Sequence, residues 1–521
     1  MKLNRKLLIA TALTIGVVTA CKESALDLRN PNQLTPDTYF KNAGELQAGI
    51  NAAYAILQGN GLVGREWFFL NHLRGDDFQS GGGQLEAPRN QVLLGTHRSD
   101  NYVTNEVWNA LYRTIHRANT VIQQAPLATD AASEQAKRVV GEAKALRAWS
   151  YSELLNFWGG VPIYKQTASS PDDSQARATE ADVINFILED LTAAEPALPL
   201  RYEGAEVGRV TRGVAQMLKA RVLMFKGDFT AARTELQKIV SSGVYKLTNA
   251  YSENFQEESK WNSESLFEIG YAQIGDINWS GTDGNDPSWG NQERNVRTQE
   301  YSPTGWRNLI PSQSLIDEFE SVARGDAKTD PRRAFSFLTV GDKFNVGQNT
   351  LTDALVQGNT QTLEGKTTKV SWLKYSLHYK TDPGGFGTSG INYRLIRYPE
   401  VLLALAECEN ELGNSAAAVT LLNQVRGRAS VAMPPYPTAR FKVSNKDEVF
   451  AAIVHEKRVE LNGEEVRNRD LVRWRRQNKL TGALAPKFQY QFESRLALLP
   501  IPQSEIDNNT KIGQAGQNPG Y

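Results

Sequence analysis

Apolar residues recur at helical spacing along most of the chain. Val107, Leu111, Ile115 and Ala118 lie on one face of a helix predicted over 105–124. Glycine and proline close most of the periodic segments, as expected at helix ends. The helices predicted from these patterns are 43–57, 105–124, 133–158, one from Thr179 or Ala181 to Ala194, 211–226, 229–240, 399–412, 415–428 and one capped by Asn445.

Two pairs of these helices form hairpins with corners at Gly227-Asp228 and Gly413-Asn414. Each corner glycine is followed by alanines four and five residues on and by a leucine nine residues on. A small residue where two helices touch, with glycine where the chain turns, resembles the tetratricopeptide hairpin. Two such units predict helical hairpins packed in series, but they are weak evidence for a full repeat array.

Three stretches lack helical periodicity. Residues 59–100 are rich in Gly, Asn, Asp and Gln, residues 245–310 mix aromatic with small polar residues, and residues 335–395 are typical of short strands and turns. Loops of this length are usually functional or disordered. The pattern therefore predicts a mostly α fold of tetratricopeptide-like helical hairpins, with a long irregular insertion of loops and short strands between them.

The first 21 residues have the layout of a secretory signal. Lys2, Arg5 and Lys6 precede an apolar run over 7–20, which is too short to span a bilayer. Small residues then lead directly to Cys21, an arrangement that resembles a bacterial lipobox. We expect Cys21 to be lipidated, since its thiol can take a diacylglycerol and its amine an acyl chain. The alternative is a plain signal with a chance cysteine.

The charge balance bears on the kind of partner, and the cysteine content bears on whether a disulfide can form. Lys and Arg number 58, as do Asp and Glu, so the net charge is zero. This balance argues against nucleic acid, because phosphate binding needs a basic excess. The chain has two cysteines, Cys21 and Cys408. If Cys21 carries lipid, an intrachain disulfide is impossible and Cys408 is predicted to be a buried free thiol.

Several motifs in order resemble those of the SusD/RagB lipoproteins of the Bacteroidetes. The resemblance extends from Cys21 to Tyr521, and its final motif is the most specific. The matching segments are Trp108-x3-Tyr112-x2-Ile115-x3-Asn119, Gly141-Glu142-Ala143 with Leu146-Arg147-Ala148 and Gly160-Val161-Pro162, 395–401 with Ala406-Glu407, Leu499-Pro500-Ile501-Pro502, Glu505-Ile506-Asp507 and Gln517-Asn518-Pro519-Gly520-Tyr521.

This resemblance implies an outer-membrane lipoprotein, facing the cell exterior, that acts as a lid on a SusC-type TonB-dependent transporter. Such proteins capture oligosaccharides, or peptides in some members, and pass them to the barrel. It also implies the following division: signal peptide 1–20, lipidated tether 21–36, N-terminal helical region 37–270, loop-rich ligand-binding insertion 271–395, and C-terminal helical region with the family signature 396–521.

A saccharide site needs aromatic plates for the C–H faces of sugar rings and planar polar groups for the hydroxyls. Core packing, or for Arg74 and Asp77 a loop-stabilising pair, is the competing interpretation of each candidate. Trp149, Trp158 and Trp474 are instead predicted to lie in the core. The ligand-binding candidates come from the two regions that build the glycan site in the family, and they are Arg74, Asp76, Asp77, Trp279, Asn285, Trp289, Tyr301 and Trp306.

Catalytic signatures are scarce in the sequence. The five histidines are scattered, and no Gly-x-Ser-x-Gly elbow or phosphate loop is present. Glu407, Glu456, Arg458, Arg467 and Asp470 are interpreted as buried or interhelical ion pairs. We therefore expect a binding protein without enzymatic activity, cofactor or metal. Three alternatives remain open: a peptide-binding relative, a helical-hairpin scaffold without a small ligand, and a glycosidase with two carboxylates.

Overall fold

The computed structural model describes residues 36–274, 294–321, 328–381, 387–481 and 494–521. Most of this chain is helical, with short strands between the helices. The helices are α1 (Pro36–Tyr39), α2 (Ala43–Gln58), α3 (Glu66–Leu73), α4 (Ala87–Leu93), α5 (Tyr102–Gln124), α6 (Glu134–Trp158), α7 (Glu180–Ala194), α8 (Arg212–Lys226), α9 (Phe229–Ser241), α10 (Arg297–Tyr301), α11 (Gln313–Ile316), α12 (Arg332–Ser336), α13 (Tyr398–Glu411), α14 (Ser415–Arg426), α15 (Lys446–Leu461), α16 (Val466–Arg476) and α17 (Gln503–Asn508).

Within the described ranges, five two-stranded antiparallel sheets lie among the helices. The pairs are β1–β3, β2–β10, β4–β9, β5–β6 and β7–β8. Their strands are β1 (Phe78–Ser80), β2 (Ser265–Ile269), β3 (Leu309–Pro311), β4 (Phe337–Thr339), β5 (Lys343–Phe344), β6 (Asn349–Thr350), β7 (Gln361–Leu363), β8 (Lys366–Thr368), β9 (Val370–Trp372) and β10 (Tyr393–Arg397).

The predicted hairpins are confirmed. Helices α8 and α9 pack together, as do α13 and α14, and α9 lies against α13, so the hairpins stand in series. Gly227 takes a left-handed φ of 87° at the first corner, and the Asp228 side chain accepts from the Ala231 amide. Gly413 has a φ of 86° at the second corner. The fold is mostly α, as the sequence predicts.

The prediction of irregular structure over 59–100 is wrong for two segments, which form α3 and α4. Every residue of α3 is buried. A helix buried on all sides has no polar face, so it shows no helical alternation in sequence. Helix α3 positions the stretch that follows it, because β1 begins five residues after α3 ends and pairs with β3 of the distant insertion.

Buried side chains confirm several predictions about the core. Trp149, Trp158 and Trp474 are buried in the described chain. Cys408 is a buried free thiol, and burial raises its pKa to about 12. The residues interpreted as ion pairs all form salt bridges, either between two helices or from a helix to the residues just before β1. The pairs are Arg473–Glu407, Arg332–Glu456, Arg458–Asp77, Arg467–Asp76 and Lys457–Asp470.

Candidate functional site

Trp306 lies in the turn between α10 and β3, and 38% of its surface is exposed to solvent. Its backbone N–H donates to the Gln299 carbonyl at 2.6 Å, and its carbonyl accepts from Gln357 Nε2 at 2.9 Å. Gly305 precedes it, and a Cβ there would lie 2.4 Å from the Gln299 carbonyl oxygen, so a side chain does not fit. The backbone on both sides of the ring is therefore fixed while the indole stays accessible.

Arg307 anchors this turn from inside the protein. Its side chain is fully buried. It donates to Ser371 Oγ at 2.8 Å and to the carbonyls of Gln357 at 2.6 Å, Asn359 at 3.0 Å and Val370 at 2.9 Å. Burial lowers the pKa of Arg307 to about 10. One guanidinium thus ties the Trp306 turn to the loop at 357–359 and to β9.

The glycine-rich loop at 81–83 lies against the same turn. The Gly81 amide donates to the Asn308 carbonyl at 2.9 Å, and the Gly81 carbonyl accepts from the Asn359 amide at 2.7 Å. A Cβ on Gly81 would lie 1.7 Å from the Arg307 carbonyl oxygen. A Cβ on Gly358, which has a φ of 80°, would lie 1.9 Å from the Gly81 carbonyl oxygen. These contacts join the early loop to the insertion at distances that only glycine permits.

A charged side chain lies beside the Trp306 ring and is itself paired with carboxylates. The Arg65 guanidinium lies 5.7 Å from the ring centroid, within cation–π range. Arg65 pairs with the buried Glu300 at 2.7 Å and with Glu86 at 3.5 Å, and Arg89 pairs with Glu86 at 2.6 Å. The Glu86 side chain is 44% exposed. Partial burial raises the pKa of Glu86, but Arg89 and Arg65 outweigh it and bring that pKa below its usual value. The Trp306 surface is defined as Trp306, Arg65 and Glu86.

An accessible indole beside a guanidinium and a carboxylate can stack on an apolar ring face and hydrogen-bond to hydroxyl groups around it. Arg65 and Glu86 were not predicted. The sequence signal is that residues 59–100 are polar and irregular over a length that is usually functional or disordered. Their position beside Trp306 depends on contacts between segments more than 200 residues apart.

Arg74, Asp76 and Asp77 are buried and have internal partners. Arg74 donates to the carbonyls of Leu496 and Ala497, both at 3.1 Å. Asp76 accepts from Arg467 at 2.7 and 2.9 Å, and Asp77 accepts from Arg458 at 2.7 Å. All three therefore have internal partners. Arg74 and Asp77 bond to Leu496, Ala497 and Arg458 rather than to each other, so the competing interpretation of a loop-stabilising pair is not what the structure shows.

Tyr301 is also buried. Its ring lies 5.5 Å from those of Phe68 and Phe69, 5.8 Å from that of His72 and 5.7 Å from that of Phe78. It belongs to the aromatic core beneath the Trp306 turn, so the structure supports packing rather than ligand contact. Trp279, Asn285 and Trp289 lie outside the described residues, as does Cys21.

Away from the Trp306 surface, a cleft of about 630 Å³ lies along α5 and is lined partly by Trp108, Tyr112, Asn119 and Tyr164. Tyr112 Oη donates to the Pro162 carbonyl at 2.9 Å. Asn119 Nδ2 donates to the carbonyls of Tyr164 and Gln166, both at 2.9 Å. These hydrogen bonds hold the segment after α6 in place, so we assign a structural role to the residues that line this cleft.

Two family models match the chain. The model described as "SusD family" matches residues 263–521, and the model described as "Starch-binding associating with outer membrane" matches residues 26–224. The chain belongs to the SusD family. The resemblance read from the sequence motifs is therefore confirmed, and the family's description associates it with the outer membrane.

Known SusD-like proteins match over nearly the full chain. SusD-like protein P2 of Formosa agariphila is 29% identical over 504 residues, which is 94% of each chain. A SusD-like crystal structure from Bacteroides fragilis has a TM-score of 0.74 at 22% identity, covering 93% of this chain and 98% of the other. Surface glycan-binding protein A from Bacteroides thetaiotaomicron, in complex with laminarihexaose, has a TM-score of 0.71 at 23% identity, covering 91% and 99%. These structures share the fold of this SusD-family chain.

The described part of this SusD-family chain shows neither a cluster of metal-binding side chains nor a membrane-spanning helix. Over the described residues, no set of three or more His, Cys, Asp and Glu side chains is arranged to hold a metal ion. Within those same ranges, no helix combines the length and apolar character needed to cross a membrane.

Proposed function

We propose that this SusD-family protein is a cell-surface lipoprotein that binds an oligosaccharide at the Trp306 surface and delivers it to a SusC-type TonB-dependent transporter. The observation that carries the proposal is the accessible Trp306 indole, held by fixed backbone beside Arg65, which pairs with the exposed Glu86. The laminarihexaose complex of a structural neighbour supports the ligand class.

The expected affinity is modest. Stacking beyond simple burial contributes roughly 0.5–1.5 kcal/mol for each aromatic contact. The Trp306 surface supplies one such contact, and together with hydrogen bonds we expect roughly −4 to −8 kcal/mol, which corresponds to millimolar to micromolar binding. Weak capture suits a protein that must release its ligand to a partner.

Lipidation at Cys21 supplies the anchor in this proposal, because two or three acyl chains, at roughly 0.8 kcal/mol for each buried CH₂, hold a protein durably at a membrane. Changing Cys21 to Ser tests it. The wild-type protein should fractionate with outer membranes, and the variant should be released into the soluble fraction. Recovery of both forms in the membrane would refute lipid anchoring at this residue.

Delivery to a transporter is tested by co-purification. A tagged form of this protein, isolated from native membranes in mild detergent, should retain a TonB-dependent barrel protein. Recovery of the protein alone, under conditions that preserve a known complex of this type, would refute the partnership.

Isothermal titration with laminarihexaose and maltoheptaose tests saccharide binding at the Trp306 surface. Trp306→Ala should weaken binding about 2- to 12-fold, the equivalent of about 0.5–1.5 kcal/mol. Leu412→Ala is the matched control, since Leu412 is a similarly exposed apolar side chain at the end of α13. Heat on mixing with peptides instead would favour the peptide-binding alternative, and release of reducing ends would favour a glycosidase. Equal binding by wild type and Trp306→Ala would refute the proposed site.

A further inference from the structure

We propose that the protein carries a second saccharide site at Trp261, separate from the Trp306 surface. Of the tryptophans that the structure describes, Trp261 and Trp306 are the exposed ones, at 36% and 38%. Trp261 lies just before β2 and faces the loop at 200–211 that leads into α8. The choice of a saccharide as ligand rests on the proposed function, whereas the site itself rests on the geometry that follows.

The backbone of Trp261 is held in an unusual conformation. Its φ is 49°, in the left-handed region that bulky residues rarely occupy. Its amide donates to both carboxylate oxygens of Glu268, at 3.0 and 3.1 Å. Glu268 is buried and lies 3.6 Å from the Arg394 guanidinium. A strained backbone persists when its surroundings fix it, and such residues concentrate at binding sites.

Two glycines leave room for the indole. A Cβ on Gly208 would lie 3.1 Å from Trp261 Nε1, and a Cβ on Gly270 would lie 3.4 Å from Trp261 Cζ2. Gly208 has a φ of 99°, so a side chain there would also be strained. The ring therefore lies directly against backbone, which fixes its position without covering it with side chains.

Clefts of about 190 Å³ and 280 Å³ lie beside this ring. Both are lined by Trp261, Gly208, Arg209 and Glu268. Tyr245 also lines the first cleft, and Asn51 and Gln58 line the second. An aromatic plate with clefts beside it can lie under one sugar unit while the neighbouring units occupy the clefts.

The charge at this site favours an uncharged ligand. Arg209 lies 3.2 Å from Glu142 and also pairs with Glu206, and it donates to Asn51 Oδ1 at 2.9 Å. Because its charge is balanced by these carboxylates, Arg209 is poorly suited to attract an anion. Asn51 and Gln58 are planar amides that can both donate to and accept from hydroxyl groups. An indole, amides and a neutralised guanidinium together fit a neutral polyhydroxylated ring.

A second site changes how tightly the protein binds a long polysaccharide relative to a short oligosaccharide. A long polysaccharide that reaches both rings gains effective concentration at the second after binding the first. An oligosaccharide too short to reach both rings would occupy each site independently. Loss of Trp261 should therefore weaken binding of a polymer more than binding of a short oligosaccharide.

Affinity electrophoresis in gels containing laminarin or soluble starch tests the proposal, using purified wild type, Trp261→Ala, Trp306→Ala and the double variant. Trp261→Ala should reduce polymer binding about threefold or more, and the double variant should lose it. Trp261→Phe keeps a ring at the same backbone angle and should restore most of the binding. Leu127→Ala, at an exposed apolar position outside both clefts, is the control. Melting curves of each variant show whether it is folded.

The outcomes separate this proposal from the first. If the wild type binds polymer and Trp306→Ala weakens it, but Trp261→Ala does not, the Trp261 site is refuted while the proposed function stands. If only Trp261→Ala weakens binding, the second site stands and the Trp306 site is refuted. A wild type that migrates unchanged through both polymers overturns the saccharide assignment of both sites.

Discussion

Replacing Arg307 with Met tests whether the buried guanidinium orients the Trp306 platform. The change removes four hydrogen bonds to neutral acceptors, at 2.6–3.0 Å, that link the turn to residues 357–359 and 370–371. Hydrogen bonds from charged donors contribute about 1.5–3 kcal/mol each. The cost of burying the guanidinium offsets part of this sum, as its lowered pKa indicates. We expect a net loss on the order of 3–5 kcal/mol in the free energy of unfolding.

The chain offers a closely matched control in Arg177. Its guanidinium donates to the carbonyls of Gly160, Gly516 and Trp158 and to Asn518 Oδ1, at 2.5–3.1 Å. These acceptors are also neutral, but they lie at the end of α6 and near the C-terminus rather than at the Trp306 turn. Arg177→Met should therefore reduce stability by a similar amount without changing saccharide affinity.

Denaturant unfolding measures the stability of each variant, and isothermal titration measures its affinity for the saccharide. Arg307→Met should weaken binding of laminarihexaose about 2- to 12-fold, as Trp306→Ala does, because both remove the positioned ring. The double variant Trp306→Ala, Arg307→Met should lose no further affinity, since the two residues act through one feature. If Arg307→Met destabilises the protein as Arg177→Met does, but binds with wild-type affinity, the orienting role of Arg307 is wrong.

Three further outcomes are expected. Gly81→Ala would place a Cβ 1.7 Å from the Arg307 carbonyl oxygen, so thermal denaturation should show a melting temperature well below that of a Gly83→Ala control, whose Cβ meets no atom within 4 Å. Burial raises the pKa of Asp76, but Arg467 and Arg458 outweigh it and hold that pKa below the usual value of about 3.9. Its contribution to stability is thus present above about pH 4 and lost as pH falls further, and urea midpoints between pH 5 and 2.5 should fall less steeply in Asp76→Asn than in wild type. In a Cys21→Ser background, the buried Cys408, with its pKa raised to about 12, should react with a thiol reagent only after denaturant is added, and fast labelling of the native protein would contradict its burial.

The sequence predicts the helical hairpins well because their signals are local. Ser133 and Thr179 cap α6 and α7 through bonds to amides three residues on, and Gly227 turns the chain between α8 and α9. Helix α3 was missed for the opposite reason. All of its residues face the interior, so its sequence has neither a polar face nor a cap to mark it.

The candidate site was predicted only in part, because its geometry depends on distant contacts. Trp306 is accessible, whereas Tyr301, five residues earlier, fills the core beneath it. Both lie in the same polar, aromatic stretch, and nothing local separates them. Asp76 is a polar residue in a predicted loop, where a residue that binds a sugar could lie. Its partner is nevertheless Arg467, more than 390 residues later. Whether such a residue binds a ligand or belongs to the core depends on which distant segments bury it. A single sequence does not reveal those contacts.

Helix α15 explains why a site built from the first and middle thirds of the chain needs the C-terminal part. Its Arg458 pairs with Asp77 next to β1, at 2.7 Å. Its Glu460 accepts from Arg397 at the end of β10 and from Arg332 in the insertion, both at 3.2 Å. These groups are buried, so removing one partner leaves an uncompensated charge, which typically costs several kcal/mol. One helix thus fixes the segments before and after the Trp306 turn. An irregular insertion can then hold an aromatic ring in place although it contributes little regular structure of its own.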